Sequence, residues 1–180
     1  MADNAYHFVT HWRVRGTCAE VADILGETAQ LSRWWPAVYL AVDVLRPGGA
    51  HGLGERVNLI TKGWLPYTLR WQSTVAEQRY PYGSTIEACG DFVGRGDWTF
   101  EQDGDVVNVT YDWNIRAEKP LLRKLTPVLR PLFSANHRWA MAQGQRSLDL
   151  ELQRRRARSD EERAAIPPPP GPTFRFRGSR

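Results

Sequence analysis

Apolar and polar positions along the chain follow two different periods, and the change of period predicts the architecture. From residue 38 to residue 116 they alternate one by one in six runs, as expected of β-strands that bury one face. Turn signals separate the runs, such as Asp-Gly-Asp at 103–105, so consecutive strands are expected to pair antiparallel. An earlier alternating run at residues 6–15 predicts one more strand, which makes seven.

Other segments have the period of helices. Short helices are predicted at 17–25 and 28–35, between the first and second strands. A helix is predicted at 118–125 and a long helix at 131–155, and Pro127 and Pro131 are expected to break or kink the chain between them. Apolar positions of this helix form one stripe at three- and four-residue spacing, with a single histidine in its middle. The stripe consists of Phe133, His137, Ala140, Met141, Gly144, Leu148 and Leu152.

Alternation also selects the face of the sheet that turns toward the long helix. We expect this face, the helix stripe and one Trp from the second short helix to enclose a cavity. The residues expected to line it are Trp35, Leu59, Trp71, Trp98, Phe100, Tyr111, Trp113, Phe133, His137 and Met141. Polar residues such as Arg70 and Asp112 occupy the opposite face, which is expected to be exposed to water.

The sequence of the fifth strand does not show which of its two faces is buried, because a β-bulge near Gly90 would exchange the buried and the exposed face. A carboxylate buried there would have a raised pKa and become a candidate acid. The residues left open in this way are Glu87, Cys89 and Asp91.

Composition and charge divide the chain into a domain and a tail. Its 180 residues suffice for one domain, and eight Trp indicate a bulky core or an aromatic-lined pocket. The net charge of +4 belongs to the C-terminal end, because residues 154–180 hold eight Arg against three acidic residues. The folded part therefore lacks a basic surface, and no nucleic-acid partner is expected. We expect residues 1–155 to form a ligand-binding domain and residues 156–180 a disordered Arg- and Pro-rich tail.

No targeting or membrane signal is visible. Cys18 and Cys89 are solitary thiols, the first residues lack the pattern of a signal peptide, and no apolar run approaches the roughly 18 residues of a membrane span. A cytoplasmic protein without a membrane span is therefore expected. The arginines at 154–158 are interpreted as cations that complement the end of the helix dipole, with contact to an anionic surface as the alternative.

The order of these elements resembles the helix-grip fold of the START-related SRPBCC superfamily, the polyketide cyclase/dehydrase and lipid-transport proteins. A Trp-Trp-Pro triplet at 34–36 and the Asn-His-Arg-Trp-Ala-Met run at 136–141 also look like bacterial members of that group. Over residues 5–153 the resemblance implies an α+β fold, a seven-stranded antiparallel sheet curved around the final helix, with an internal cavity for a hydrophobic or aromatic small molecule. It implies no single chemistry, since the superfamily includes cyclases, lipid carriers, hormone receptors and ring-hydroxylase subunits.

His137 is the first candidate for chemistry, because an imidazole on the cavity side could donate to a ligand carbonyl or act as acid and base. Tyr111 is the second candidate. Alternatively, a strand hydroxyl such as that of Tyr111 binds His137 and the pair contributes only to packing. His7 and His11 lie about 13 Å apart at about 3.3 Å per residue, too far to share a metal ion. No metal-, nucleotide- or cofactor-binding motif is present, so neither metal nor cofactor is expected.

Two functional hypotheses and one structural alternative stay open. The first function is that of a carrier or sequestering protein for an apolar or aromatic small molecule, which the sequence slightly favours. The second is a cofactor-free cyclase, aromatase or dehydratase that uses the same cavity. A second ionisable group within about 3 Å of His137, or one water away, would favour the enzyme. The structural alternative is a filled core, indicated by a cavity below the roughly 300 Å³ of an ordinary ligand pocket. Ligand identity and oligomeric state are not predicted.

Overall fold

Strand and helix order along the chain follows the prediction. The structure, a computed structural model, describes residues 4–173, except for the side chains of residues 120–129. The strands are β1 (Ala5–Arg15), β2 (Tyr39–Arg46), β3 (Arg56–Thr61), β4 (Leu69–Gln78), β5 (Gly83–Gly90), β6 (Phe92–Asp103) and β7 (Val106–Ala117). The helices are α1 (Cys18–Gly26), α2 (Leu31–Trp34), α3 (Pro120–Arg156) and α4 (Asp160–Ala165), with 3-10 turns at Thr28–Gln30 and Ala50–Gly52.

All seven strands form one antiparallel sheet in the order β1-β7-β6-β5-β4-β3-β2. Alternate positions of the central strands turn their apolar side chains to the same face, where Phe8 pairs with Trp113 and Trp98 with Tyr111. α3 lies across this face, so the predicted helix-grip fold is confirmed. Within the described residues, no helix is both long and apolar enough to cross a membrane.

The helices predicted at 118–125 and 131–155 form one continuous helix, so the break expected at the prolines is wrong. α3 runs without interruption through Pro127 and Pro131, because a proline removes one backbone hydrogen bond, which a helix of this length tolerates. Its second half packs tightly. A Cβ added at Gly144 would overlap the Trp35 ring, so the glycine allows the indole to contact the helix backbone.

Ion pairs hold the end of α3 against the short helices. The Thr17 hydroxyl and the Glu20 carboxylate form a capping box at the start of α1. The same carboxylate accepts two hydrogen bonds of 2.7 Å from Arg156. Glu27 pairs in the same bidentate way with Arg155. These two arginines, interpreted from the sequence as complementing the helix dipole, therefore also contact carboxylates of their own chain.

Part of the tail folds back along the domain, whereas the sequence predicts disorder there. α4 follows α3 after three residues, and Arg154 donates to the carbonyls of Ile166 and Pro167. At the other end of this segment, Thr173 lies 3.1 Å from the ammonium of Lys62. Periodicity could not reveal this contact, since it joins residues 111 positions apart. Residues 174–180, with three of the tail arginines, lie outside the described residues.

The fifth strand turns its apolar side inward. Ile86 and Ala88 pack against the core, whereas Glu87 and Cys89 are exposed. Asp91 follows at the corner between β5 and β6, where it accepts the backbone N–H of Arg70 at 2.9 Å. Neither carboxylate left open by the sequence reaches the space beneath α3.

Candidate functional site

A cavity of about 120 Å³ lies between the inward face of the sheet and the first half of the described part of α3. Seven of the ten residues predicted to line it do so. They are Trp35, Trp71, Tyr111, Trp113, Phe133, His137 and Met141.

The other three predicted residues are buried in the core but do not line the cavity. The ring of Trp98 stacks on that of Tyr111 with centroids 3.9 Å apart and planes 17° apart, and it also packs against Trp12 with centroids 5.4 Å apart. Leu59 and Phe100 are also part of the core and do not line the cavity. Alternation gives the face of a strand but not which of its residues is outermost in the layer.

Space for the aromatic rings is made by a glycine on the inward face of β6. A Cβ added at Gly96 would lie 2.5 Å from the Tyr111 hydroxyl and 2.6 Å from the Trp113 ring. Both rings therefore lie directly over the strand. A larger residue at this position would push them into the cavity.

Sequence reasoning missed many lining residues for two different reasons. Phe8 and Thr61 belong to faces predicted to turn inward, but strand periodicity did not rank them. The loop between β3 and β4 contributes Lys62, Gly63 and Tyr67. A loop has no sequence periodicity from which its inward side could be predicted. The lining residues missing from the prediction are Tyr6, Phe8, Val38, Tyr39, Thr61, Lys62, Gly63, Tyr67, Leu69, Phe92, Ile115, Ala117, Asn136 and Ala140.

His137 is held in the cavity wall by an aromatic contact rather than a hydrogen bond. Its ring stacks on Phe8 with centroids 4.1 Å apart and planes 16° apart. Nε2 is buried and has no hydrogen-bond partner among the described residues, so the alternative bond to Tyr111 is not formed. Burial, and then the charge of Arg138, lower the pKa of His137 to about 4. The imidazole is therefore neutral near pH 7.

The tyrosines around the cavity are donors rather than bases. Burial, together with the nearby Tyr39 and Asp97, raises the pKa of Tyr111 well above its ordinary value. Burial and then Tyr6 raise the pKa of Tyr67 to about 12. Nε2 of His137 has no direct hydrogen-bond partner among the described residues, so no acid–base pair is formed there by direct contact.

Two polar side chains of the wall are already hydrogen-bonded within the protein. The hydroxyl of Thr61 accepts the Trp71 indole N–H at 3.0 Å. The Asn136 carbonyl oxygen accepts the backbone N–H of Leu65 at 3.1 Å, which ties the loop after β3 to α3. These bonds fix the wall and leave the His137 nitrogen as the more available partner for a ligand.

Elsewhere, the two strand histidines bind neighbours on the outer face. His7 Nε2 lies 3.0 Å from Asp112, and His11 Nδ1 lies 3.2 Å from the Thr110 hydroxyl. In the part of the chain that the structure describes, no three His, Cys, Asp or Glu side chains are grouped so that they could hold a metal ion.

The chain is similar to known proteins in structure but not in sequence. No family model matches the chain, and no curated protein matches its sequence. TTHA0849 from Thermus thermophilus is similar in structure with a TM-score of 0.68 and 14% identity, over 84% of this chain and 100% of that one. The ZhuI aromatase/cyclase from Streptomyces sp. R1128 has a TM-score of 0.67 and 15% identity, over 87% and 98%.

A plant enzyme shows the same likeness at greater distance. Norcoclaurine synthase from Thalictrum flavum is similar with a TM-score of 0.57 and 11% identity, over 85% of this chain and 97% of that one. Each of these matches covers at least 84% of this chain. The likeness shows that the chain has the helix-grip fold.

Proposed function

We propose that the protein binds a small hydrophobic or aromatic molecule in the cavity between the sheet and α3, as a carrier or sequestering protein. The observation that carries the proposal is an aromatic-lined space containing a buried His137 nitrogen without a partner in the described protein. Leaving such a nitrogen unbonded costs about 1–3 kcal/mol, which a ligand oxygen would recover.

The volume limits the size of the ligand. About 120 Å³ is below the roughly 300 Å³ of an ordinary ligand pocket, so the space as it stands suits a single aromatic ring. An apolar cavity of about 150 Å³ engineered in another protein binds benzene. A larger guest requires wall side chains to move. Tyr67 and Phe133 are half-buried members of the wall, in edge-to-face contact with ring centroids 6.2 Å apart.

A cofactor-free cyclase or aromatase is the second candidate. The likeness to the ZhuI aromatase/cyclase and a neutral His137 facing the same space as the Tyr111 phenol favour it. Against it stands the lack of a second ionisable partner for His137 in the described residues. Binding is therefore ranked first.

Methyl NMR offers a direct test, because the chain has only two methionines and Met141 lines the cavity. With methionine labelled at its methyl carbon, benzene is expected to shift the Met141 signal and leave Met1 unchanged. Ala140→Leu fills the cavity and should abolish the shift. Ala142→Leu is the matched control, since Ala142 is exposed on the same helix. A Met141 signal that neither benzene nor indole moves would refute the proposal.

Native mass spectrometry of the purified protein complements this test. A small molecule that co-purifies with the wild type and is absent from Ala140→Leu would identify the ligand class. Conversion of that molecule to a product by the wild type would move the conclusion to the enzyme.

A further inference from the structure

We propose that the C-terminal segment 166–173 is a strap that holds the loop between β3 and β4 over the cavity and thereby sets the rate at which a ligand enters and leaves. The inference rests on the proposed binding function and adds the control of access to that site.

The loop between β3 and β4, residues 62–68, is a part of the cavity wall outside both the sheet and α3. Side chains of other segments hold it, since Asn136 accepts the Leu65 backbone N–H at 3.1 Å and Lys119 donates to the Thr68 carbonyl. The strands on either side of the loop are instead joined by a continuous ladder of backbone hydrogen bonds. The loop therefore opens more easily than the strands beside it. Its residues that line the cavity are Lys62, Gly63 and Tyr67.

The strap starts at α3 and is stiff. Arg154 donates to the carbonyls of its first two residues, Ile166 and Pro167. Five of its eight residues are proline, and four of these are consecutive. Such a run favours an extended conformation of about 3.1 Å per residue and has little conformational entropy to lose. The strap can therefore connect the helix to a distant loop at a lower entropic cost than a flexible segment.

The other end of the strap contacts the loop. The Thr173 hydroxyl accepts a hydrogen bond from the Lys62 ammonium at 3.1 Å and donates one to the Trp64 carbonyl at 3.5 Å. Lys62 is only 2% exposed and lines the cavity, whereas Thr173 is exposed. The strap thus lies on the solvent side of the loop. The loop cannot move outward from the cavity unless these contacts break.

Exchange of benzene in the full-length protein tests the strap, with rates taken from the line shape of the Met141 methyl signal. Replacing residues 167–170 with Gly-Ser-Gly-Ser keeps the length and charge of the strap but makes it flexible. The association and dissociation rates of benzene should both rise about tenfold. Kd should stay within about twofold, because a strap that covers the free and the bound state alike changes only the barrier between them.

A single substitution at the start of the strap provides a matched pair of variants. Arg154→Gln removes the donor to the two carbonyls and should raise both rates about threefold. Arg158→Gln is the control, since it makes the same change of charge at an exposed side chain of the tail, and it should leave both rates unchanged.

A second measurement needs no ligand. Hydrogen exchange of the Leu65 amide reports opening of the loop, because this N–H is bonded to the Asn136 side chain when the loop is closed. In the Gly-Ser variant it should be about tenfold faster, while amides of the sheet exchange as in the wild type.

The outcomes separate this inference from the proposed function. Benzene rates that are the same in the wild type and the Gly-Ser variant overturn the strap, as does a weaker affinity through dissociation alone, which would make the tail part of the binding surface. A Met141 signal that benzene does not shift in the wild type overturns the binding function and with it the control of access, even where the Leu65 amide shows that the strap holds the loop. Thermal unfolding verifies the fold of each variant, and Thr173→Ala replaces the Gly-Ser variant if the latter does not fold.

Discussion

The two halves of the described part of α3, residues 130–143 and 144–156, pack against the rest of the domain in opposite ways. From Gly144 onward the helix is closely packed, with Leu148 fully buried and the carboxylate of Glu151 held between Arg33 and Arg155. From Phe133 to Met141 the helix instead borders an open space. One half fixes the helix on the domain, and this allows the other half to leave room beneath it.

The difference shows how a cavity can persist in a stable protein. Apolar surface left unfilled and a buried nitrogen left unbonded both reduce stability. The packed half offsets this loss with full burial and charged hydrogen bonds. Predictions of different behaviour for the two halves therefore test whether the packed half stabilises the fold around the cavity.

The largest expected effect comes from truncating the packed half. Leu148→Ala should lower the free energy of unfolding by about 3 kcal/mol, because the removed methyl groups leave a void. Phe133→Ala removes more atoms but should cost only about 1 kcal/mol, since this ring is half-buried beside existing space. Urea denaturation measures both. Equal losses would contradict the division of α3 into two halves.

Acid should destabilise the two halves in separate pH ranges. The pKa of His137 is about 4 in the fold against 6.5 ordinarily, so the unfolded chain binds the proton first. The stability contributed by the neutral imidazole is thus lost as the pH falls from 6.5 to about 4, a loss of about 3 kcal/mol.

At the packed half the loss comes at lower pH. Hydrogen bonds from Arg156 lower the pKa of Glu20 to about 2 from 4.5. Burial would raise the pKa of Glu151, but hydrogen bonds from Arg33 and Arg155 hold it below its ordinary value. Stability from these carboxylates is lost as the pH falls below 4.5. Urea unfolding across the pH range should show both losses, and His137→Leu should remove only the first. A single acid transition that His137→Leu does not change would contradict the assignment.

Replacing His137 should change stability and ligand affinity in opposite directions. His137→Leu removes the buried unbonded nitrogen and should raise the free energy of unfolding by about 1 kcal/mol. The same variant should bind phenol about fivefold more weakly while its affinity for benzene changes little. Titrations monitored at the Met141 methyl measure this. If benzene and phenol lose affinity in parallel, the nitrogen has no part in recognition.

The smallest effect is expected at the exposed ion pair of the packed half. Arg156→Gln breaks a bidentate contact with Glu20, but both side chains are more than a third exposed. Solvent screening limits the cost to about 0.5 kcal/mol, and added salt should reduce it further. A cost as large as that of Leu148→Ala would mean that charge rather than packing holds this end of the helix.

Much of the fold could be predicted because its signals are local. The alternation of Trp71, Tyr111 and Trp113 with polar neighbours places them on one face, and the turns set the antiparallel order. The site was predicted less completely. Leu59 lies on the correct face and still does not line the cavity, whereas Lys62 lines it from a loop, whose sequence has no periodicity.

By itself, then, the sequence determined the order of elements, the inward faces of the strands and the histidine in the helix stripe, because side-chain periodicity depends only on neighbours along the chain. Tertiary structure decided the rest. Whether Trp98 or Tyr111 is exposed to the cavity depends on how rings stack across two strands, and the volume depends on the space at Gly96. The burial of Lys62 beneath Thr173 likewise joins residues 111 positions apart. Such contacts depend on packing between distant parts of the chain, which local sequence periodicity does not predict.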